Sequence, residues 1–229
     1  KTYSEREVKA VNNEHQKNKL NDGWRGNFVN QQISEPGHPL TMFGTGNQDT
    51  LSGDNRPALL DFYEKYYSAS NMKLALISNI PMQNLFGIAK KYFSGIPSRE
   101  VNVPSMPKVF RKPLKNKFRL LKVKTIKDIR SLEVDFPTIR LNDYQNSKPA
   151  GIISSLIGHE GKGSLLSKLK EEGLVLSLSA GGGSSHPDIN SFGISVSLTP
   201  KGLENYERIL ELIFNYIRMI RDHGVDEYT

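Results

Sequence analysis

The chain has 229 residues, 37 % hydrophobic and 24 % charged, with a formal net charge of +7 and no cysteine. That length suits one or two domains with enough apolar content for a core, and the missing cysteines exclude disulfides and thiolate metal sites. No apolar run approaches the about 18 residues that a membrane span needs, and the opening Lys-Thr-Tyr-Ser-Glu has neither an initiator Met nor an apolar signal core, as expected of an excised or processed piece.

Residues 5–32 read as one long polar helix, although Gly23 and Gly26 each cost it about 1 kcal/mol relative to Ala. Glu7 and Glu14 stand seven residues apart, which on a helix is two turns and puts both carboxylates on one face about 10 Å apart. Two acids at that spacing cannot share a proton. They suit a pair in which one binds a cation and the other supports the shell behind it; the competing reading is a solvated helix face.

Residues 34–56 are loop-rich, punctuated by Pro36, Gly37, Pro39, Gly44, Gly46 and Gly53. A second helix is expected at 57–69, opened by Pro57 in its first turn, with Leu59, Leu60, Tyr63, Tyr66 and Tyr67 buried. Residues 72–78, nearly all apolar, read as a central strand covered on both sides. A third helix is expected at 81–94 with Leu85, Ile88, Ala89, Tyr92 and Phe93 facing inward.

The composition then shifts. Pro97, Pro104, Pro107 and Pro113 mark a stiff connection and a domain boundary at 98–116. Lys108, Arg111, Lys112, Lys115, Lys117, Arg119, Lys122, Lys124 and Lys127 form a run without an acid, so the net charge is local. With only Phe110 and Phe118 for stacking, this run reads as a solvated linker and exposed strand edge, ahead of a steering role for acidic peptides and ahead of nucleic acid.

Strands are expected at 118–124 and 131–136, then a helix at 148–158 capped by Ser147. A helix at 164–172 is closed by Gly173. Strands at 174–180 and 191–198 pair around a Gly181–Gly183 loop, and one long helix runs from Thr199-Pro200 to 222, ended by Gly224. Its stripe is Leu203, Tyr206, Leu210, Ile213, Phe214, Ile217 and Ile220. Mixed strands and helices with neighbouring strands joined directly make an α+β fold.

The five histidines, His15, His38, His159, His186 and His223, include no pair four residues apart, so none forms a two-histidine metal face on a helix. His15 flanks Glu14 but diverges from it by about 100° around the helix, and reads as structural. GHEGKGS (158–164) is no P-loop, because Lys162 is followed by Gly163 rather than Ser or Thr; Ser164 could still bind an anion at a helix start.

AVNNEHQKNKLNDGWR followed by EPGHPLTMFGTGNQDTL resembles the insulinase/pitrilysin family of zinc metalloendopeptidases. The likeness continues through FYEKYYSASNMKLAL, VPSMP, IKDIRSLEVDFP and LIGHEGKGSLLSKLKEEGLV, covering essentially the whole chain, and its wording is closer to the bacterial pitrilysin branch. That family carries an inverted His-x-x-Glu-His zinc motif and a distal Glu in a Glu-x6-Glu arrangement. The resemblance implies that Glu14 is the third zinc ligand, Glu7 the acid that orients a histidine ligand, and Trp24 a pocket aromatic near the scissile bond, a plain core tryptophan being the alternative reading. Asn27, beside Phe28, stands where the animal enzymes carry a second aromatic, a departure that leaves the pocket's shape open.

It further implies that His159, Gly163, Leu178, Gly181 and Gly182 belong to a remote site gripping a peptide's N-terminal portion by strand addition, where an ordinary hairpin loop is the plain alternative. Residues 1–97 would be the later part of the catalytic first repeat, 98–116 a Pro-rich basic linker, and 117–229 the earlier part of the second repeat, with mixed sheets flanked by helices. The inverted motif is absent from this sequence and its place in the family lies upstream of residue 1. The chain would therefore hold one zinc ligand and be inactive alone. The expected partners are peptide substrates and the remaining repeats of the parent chain, with no nucleic acid and no membrane. The expected compartment is the periplasm, the cytoplasm being the alternative. A non-catalytic binding or scaffold subunit of the same family is the competing function.

Overall fold

The computed structural model describes residues 2–104, 118–186 and 189–224. Most of the basic linker, with Pro107, Pro113, Lys108, Arg111, Lys112, Lys115 and Lys117, lies outside the described residues. The described elements are α1 (Thr2–Asn18), α2 (Asp22–Gln32), α3 (Arg56–Tyr66), α4 (Met82–Phe93), β1 (Ser131–Pro137), α5 (Pro149–Ile157), α6 (Leu165–Glu171), β2 (Val175–His186), β3 (Ile189–Leu198), α7 (Pro200–Glu204) and α8 (Tyr206–His223). They form an α+β fold in two compact units: Lys1–Arg25 with Met42–Met106, and Gly26–Thr41 with Pro107–Thr229.

The second unit holds the core. Its sheet is antiparallel with order β1–β3–β2. Alternation along each strand sends Val134, Leu178, Ile194 and Val196 to one face. There they meet Leu165, Leu166 and Leu169 of α6 and Ile209 and Ile213 of α8. Leu169, Ile209 and Ile213 are 0 % exposed, and each such side chain contributes about 1.5–3 kcal/mol by leaving water.

Local chemistry sets the turns around this core. Ser164 Oγ accepts from the Ser167 amide at 3.0 Å and caps α6. Gly173 follows the helix at φ 69°, a left-handed conformation costly for other residues. Thr199 Oγ1 accepts from the Gly202 amide at 2.9 Å and donates to the Gly173 carbonyl at 2.8 Å. Gly202 is required where α7 crosses the start of β2: a Cβ there would lie 1.9 Å from the Leu174 oxygen.

The first unit is different. Among the described residues it buries no apolar side chain; its buried residues are Asn18 and Ser68. Ser68 closes the unit by donating to the Arg99 carbonyl at 2.8 Å while accepting from the Arg99 amide at 2.7 Å. Arg99 also pairs with Glu64.

Several expectations are corrected. The single helix at 5–32 is two helices, because the turn at Lys19–Asn21 tightens through i→i+3 bonds and the Asn21 side chain accepts from the Trp24 amide at 3.2 Å. Gly23 and Gly26 lie inside α2. Residues 72–78 form no strand, and Ile77 is fully exposed; a strand needs backbone partners alongside, and among the described residues none lies there. For the same want of a second apolar layer, Leu59, Leu60, Tyr63 and Tyr67 of the second helix region are exposed. So are Ile88, Tyr92 and Phe93 of α4, while Leu85, Ala89 and Tyr66 are half-buried.

Residues 118–124 are not a strand either. They run beside the C-terminal helix, with Phe118 5.2 Å from the Phe214 ring and Lys122 5.4 Å over Tyr206. Ser147 does not cap α5; the cap position is Lys148 in a left-handed conformation, φ 43°. The long C-terminal helix breaks at Asn205, and Leu203, expected on the buried stripe, is exposed. Gly181–Gly183 are no loop but strand residues of β2, paired with Gly193, Phe192 and Ser191.

Candidate metal-binding face and peptide edge

Helix α1 forms from a polar sequence with Glu5 in its first turn and His15 and Lys17 in its last, both favourable to the helix dipole. At 100° per residue, Glu7, Val11, Glu14 and Asn18 fall within an arc of about 60°. Along this stripe Glu7 is exposed, Val11 half-buried, Glu14 exposed and Asn18 buried. Glu7 is engaged by its neighbour: its Oε1 accepts from Arg6 Nε at 3.2 Å and Nη2 at 3.1 Å. The Glu14 carboxylate makes no hydrogen bond or ion pair among the described residues.

The other sides of α1 are used for anchoring. The His15 ring meets Phe43 edge-on at 4.9 Å, in keeping with a structural histidine. Asn12 Oδ1 accepts from the Gln48 amide at 3.2 Å. That fastens a loop which closes on itself through Asn47 and Thr50, whose amides and side chains bond reciprocally at 2.9 and 2.8 Å. Trp24 is 48 % exposed, so it is no core tryptophan.

Catalytic zinc takes three protein ligands and one open position. Among the described residues no three His, Cys, Asp or Glu side chains converge. Glu14 fits a partial ligand set: it is a carboxylate open to solvent and without a partner among the described residues. The buried Nδ2 of Asn18, which has no hydrogen-bond partner, stands one turn further along the same stripe.

A second feature is the edge of β2. The central strand is β3, and among the described residues no strand pairs with the outer side of β2. Leu178 is 7 % exposed, so its side chain belongs to the core while its backbone lies on an outer strand. Gly181 shares a cross-strand row with Gly193 and Asp135. Gly182 lies against the α5 region: a Cβ there would sit 2.7 Å from Ala150 Cβ and 2.9 Å from Leu141 Cδ1. His159 is exposed and its ring folds over Gly161, where a Cβ would meet Nε2 at 2.5 Å. Gly163, at φ 85°, leads into the Ser164 cap.

Sequence reasoning passed over three features. One is Asn18. Another is a shallow cavity of about 360 Å³ on the face of the sheet opposite the core, lined by Glu133, Asp135, Ser179, Gly193, Ser195 and Asn30. The two-residue alternation in SLEVDFP was its readable signal. The third is an ion-pair cluster around Arg208, which donates to both oxygens of Glu172 at 3.1 and 3.2 Å and to Glu211 at 2.8 Å. The Arg208 hydrogen bonds hold the Glu172 carboxyl below the usual carboxylate range, and Glu171 raises Lys168.

A family model described as the peptidase M16 inactive domain matches residues 55–228. The insulin-degrading enzyme of Drosophila melanogaster is 40 % identical over 96 % of this chain and 23 % of its own length. The Homo sapiens insulin-degrading enzyme is 37 % identical over 98 % and 23 %. The A-factor-processing enzyme of Saccharomyces cerevisiae is 34 % identical over 97 % and 22 %. The crystal structure of pitrilysin superposes with a TM-score of 0.83 at 31 % identity, over 99 % of this chain and 25 % of that one. The chain thus spans about a quarter of the length of these relatives.

Proposed function

Because the chain belongs to the insulinase/pitrilysin family of peptidases, the M16 family, we propose that it is a piece of a zinc metalloendopeptidase that hydrolyses oligopeptides and small proteins inside an enclosed chamber. The observation that carries this reading is Glu14, an exposed carboxylate without a partner among the described residues, on one helix stripe with Glu7. On this reading residues 1–97 are the later part of the catalytic repeat, 98–116 the linker and 117–229 the earlier part of the second repeat. Other parts of the parent supply the remaining ligands.

Bound zinc would supply a Lewis acid and a water made acidic enough to attack a peptide carbonyl. Glu14 would hold the metal through a carboxylate oxygen. Glu7 would orient a neighbouring ligand, exchanging its present contact with Arg6 for that role. Trp24, half exposed, would shield the peptide near the scissile bond. The outer edge of β2, with Leu178, Gly181 and Gly182, and the turn carrying His159 and Gly163 would grip the peptide's N-terminal portion through main-chain hydrogen bonds. No described helix is long and apolar enough to cross a membrane, and a bacterial parent would work in the periplasm.

The test uses Glu14→Gln and Glu7→Gln in the full-length parent. Zinc affinity is read by chelator competition and turnover with a fluorogenic peptide. Glu14→Gln should weaken zinc by more than about 100-fold and Glu7→Gln by about 10–100-fold. The 229-residue chain alone should neither bind zinc tightly nor cleave. Unchanged zinc affinity in Glu14→Gln, or micromolar zinc binding with turnover by the chain alone, overturns the reading.

The description of the matching family model as an inactive domain favours a second reading, a non-catalytic binding or scaffold subunit. The parent sequence upstream of Lys1 decides between them: a His-x-x-Glu-His motif there supports the peptidase, and its absence supports the scaffold.

A further inference from the structure

We propose that Asn18 is a positioning residue whose side-chain amide holds the Glu14 carboxylate in its metal-binding orientation; the proposal rests on the reading of Glu14 as a ligand. Asn18 is 7 % exposed, and its Nδ2 is buried without a hydrogen-bond partner among the described residues. A carboxamide nitrogen carries two N–H donors, and buried donors in native proteins are nearly always satisfied. The missing acceptor therefore has to come from something that joins or moves.

The nearest candidate in chemical kind is one turn away. Glu14 precedes Asn18 by four residues on the same stripe, the spacing at which amide and carboxylate side chains on a helix meet. Its carboxylate has no partner among the described residues. Among the described residues, a donor without an acceptor and an acceptor without a donor thus lie four residues apart on one helix stripe. Val11, the half-buried residue between Glu7 and Glu14 on the stripe, offers no side-chain acceptor.

Ligation explains why the pair should close. A carboxylate that binds a metal through one oxygen leaves the other free, and ligating carboxylates are themselves hydrogen-bonded by the protein. An N–H to an ionised oxygen is one of the stronger hydrogen bonds available. Of the residues three or four positions from Glu14, Lys17 is the other one with a side-chain donor, but it is exposed and would lose rotamer freedom on pairing. Asn18 is already immobilised by burial, so it can fix the carboxylate at lower entropic cost.

The test is made in the zinc-loaded full-length parent. Asn18→Asp keeps the side chain's size, removes the donors and sets a like charge beside Glu14. Zinc affinity by chelator competition should fall about 10–100-fold, with kcat reduced and KM little changed. In a Glu14→Gln background the same substitution should change zinc affinity by less than about twofold, since the two residues act as one unit. Asn18→Leu, similar in size and uncharged, should weaken zinc about 10-fold and serves if Asn18→Asp does not fold. A merely structural amide would lower the melting temperature of the metal-free protein and leave zinc affinity unmoved. Zinc affinity within twofold of wild type in a folded Asn18 variant, or effects additive with Glu14→Gln, overturns the proposal. If Glu14→Gln itself leaves zinc affinity unchanged, the ligand reading has failed instead.

Discussion

Three consecutive glycines in β2 differ in what surrounds them, and replacing each by alanine separates packing from substrate contact. At Gly182 a new Cβ would lie 2.7 Å from Ala150 Cβ and 2.9 Å from Leu141 Cδ1. Carbon atoms prefer about 3.5–4.0 Å, so the strand or the α5 region must give by about 1 Å. Such overpacking costs about 1–3 kcal/mol, offset in part by the about 0.4–1 kcal/mol that Ala gains by restricting the unfolded chain. Gly182→Ala should therefore destabilise by about 1–2 kcal/mol. At Gly181 the nearest atom is Ser154 Oγ at 4.0 Å, and at Gly183 nothing lies within 4 Å. None of the three has positive φ, so both of those changes should stabilise by about 0.4–1 kcal/mol. Thermal unfolding by circular dichroism reads the series, with about 2–4 °C expected per kcal/mol at this size. The reasoning is refuted if Gly182→Ala melts with wild type, or if Gly181→Ala is the worst of the three. A Gly181→Ala protein that is stable yet weaker in peptide affinity would mark this position as contact rather than packing.

Thr199→Ala removes the acceptor for the Gly202 amide and a donor to the Gly173 carbonyl; a loss of about 1–2 kcal/mol is expected by urea denaturation, in the usual range for a helix cap. Leu169, fully buried in α6, should cost about 2–5 kcal/mol as Leu169→Ala, and a shift in urea midpoint at constant m-value checks it. The Glu172 carboxyl is held low, chiefly by its hydrogen bonds from Arg208. Its folded pKa lies below the unfolded one, so its contribution is present above the usual carboxylate range and is lost as pH falls through the depressed value. The melting-temperature difference between wild type and Glu172→Gln should be present at neutral pH, shrink with added salt, and vanish in strong acid; a difference that persists in acid would contradict the ion pair.

Where the information was local, the sequence sufficed. Helix α4 was readable from its 3.6-residue pattern, and the ends of α6 from Ser164 and Gly173, because caps and left-handed turns are decided within four residues. Strands β1 and β3 showed their two-residue alternation, and Glu7 and Glu14 could be put on one face by counting. The helix breaks at Lys19–Asn21 and Asn205 were missed because the apolar and polar patterns run straight across them, and the Asn21 side chain that decides the first is a single contact.

Non-local facts were out of reach. Apolar residues at 72–78 and 118–124 look like strands, yet a strand exists only where another backbone lies beside it, and composition says nothing of that. The apolar faces of α3 and α4 were legible as faces, but whether a face is covered depends on a second layer. Gly181–Gly183 looked like a loop because glycine disfavours strands, whereas pairing with β3 and the close approach at Ala150 make them strand residues. By itself the sequence determined the elements with local signals, the α+β class and the spacing of the two acids. The tertiary structure alone decided that, among the described residues, Glu14 has no partner, Asn18 one turn along the helix is buried with an unsatisfied amide, and β2 is an outer strand, because burial and pairing belong to the neighbours a residue meets in space.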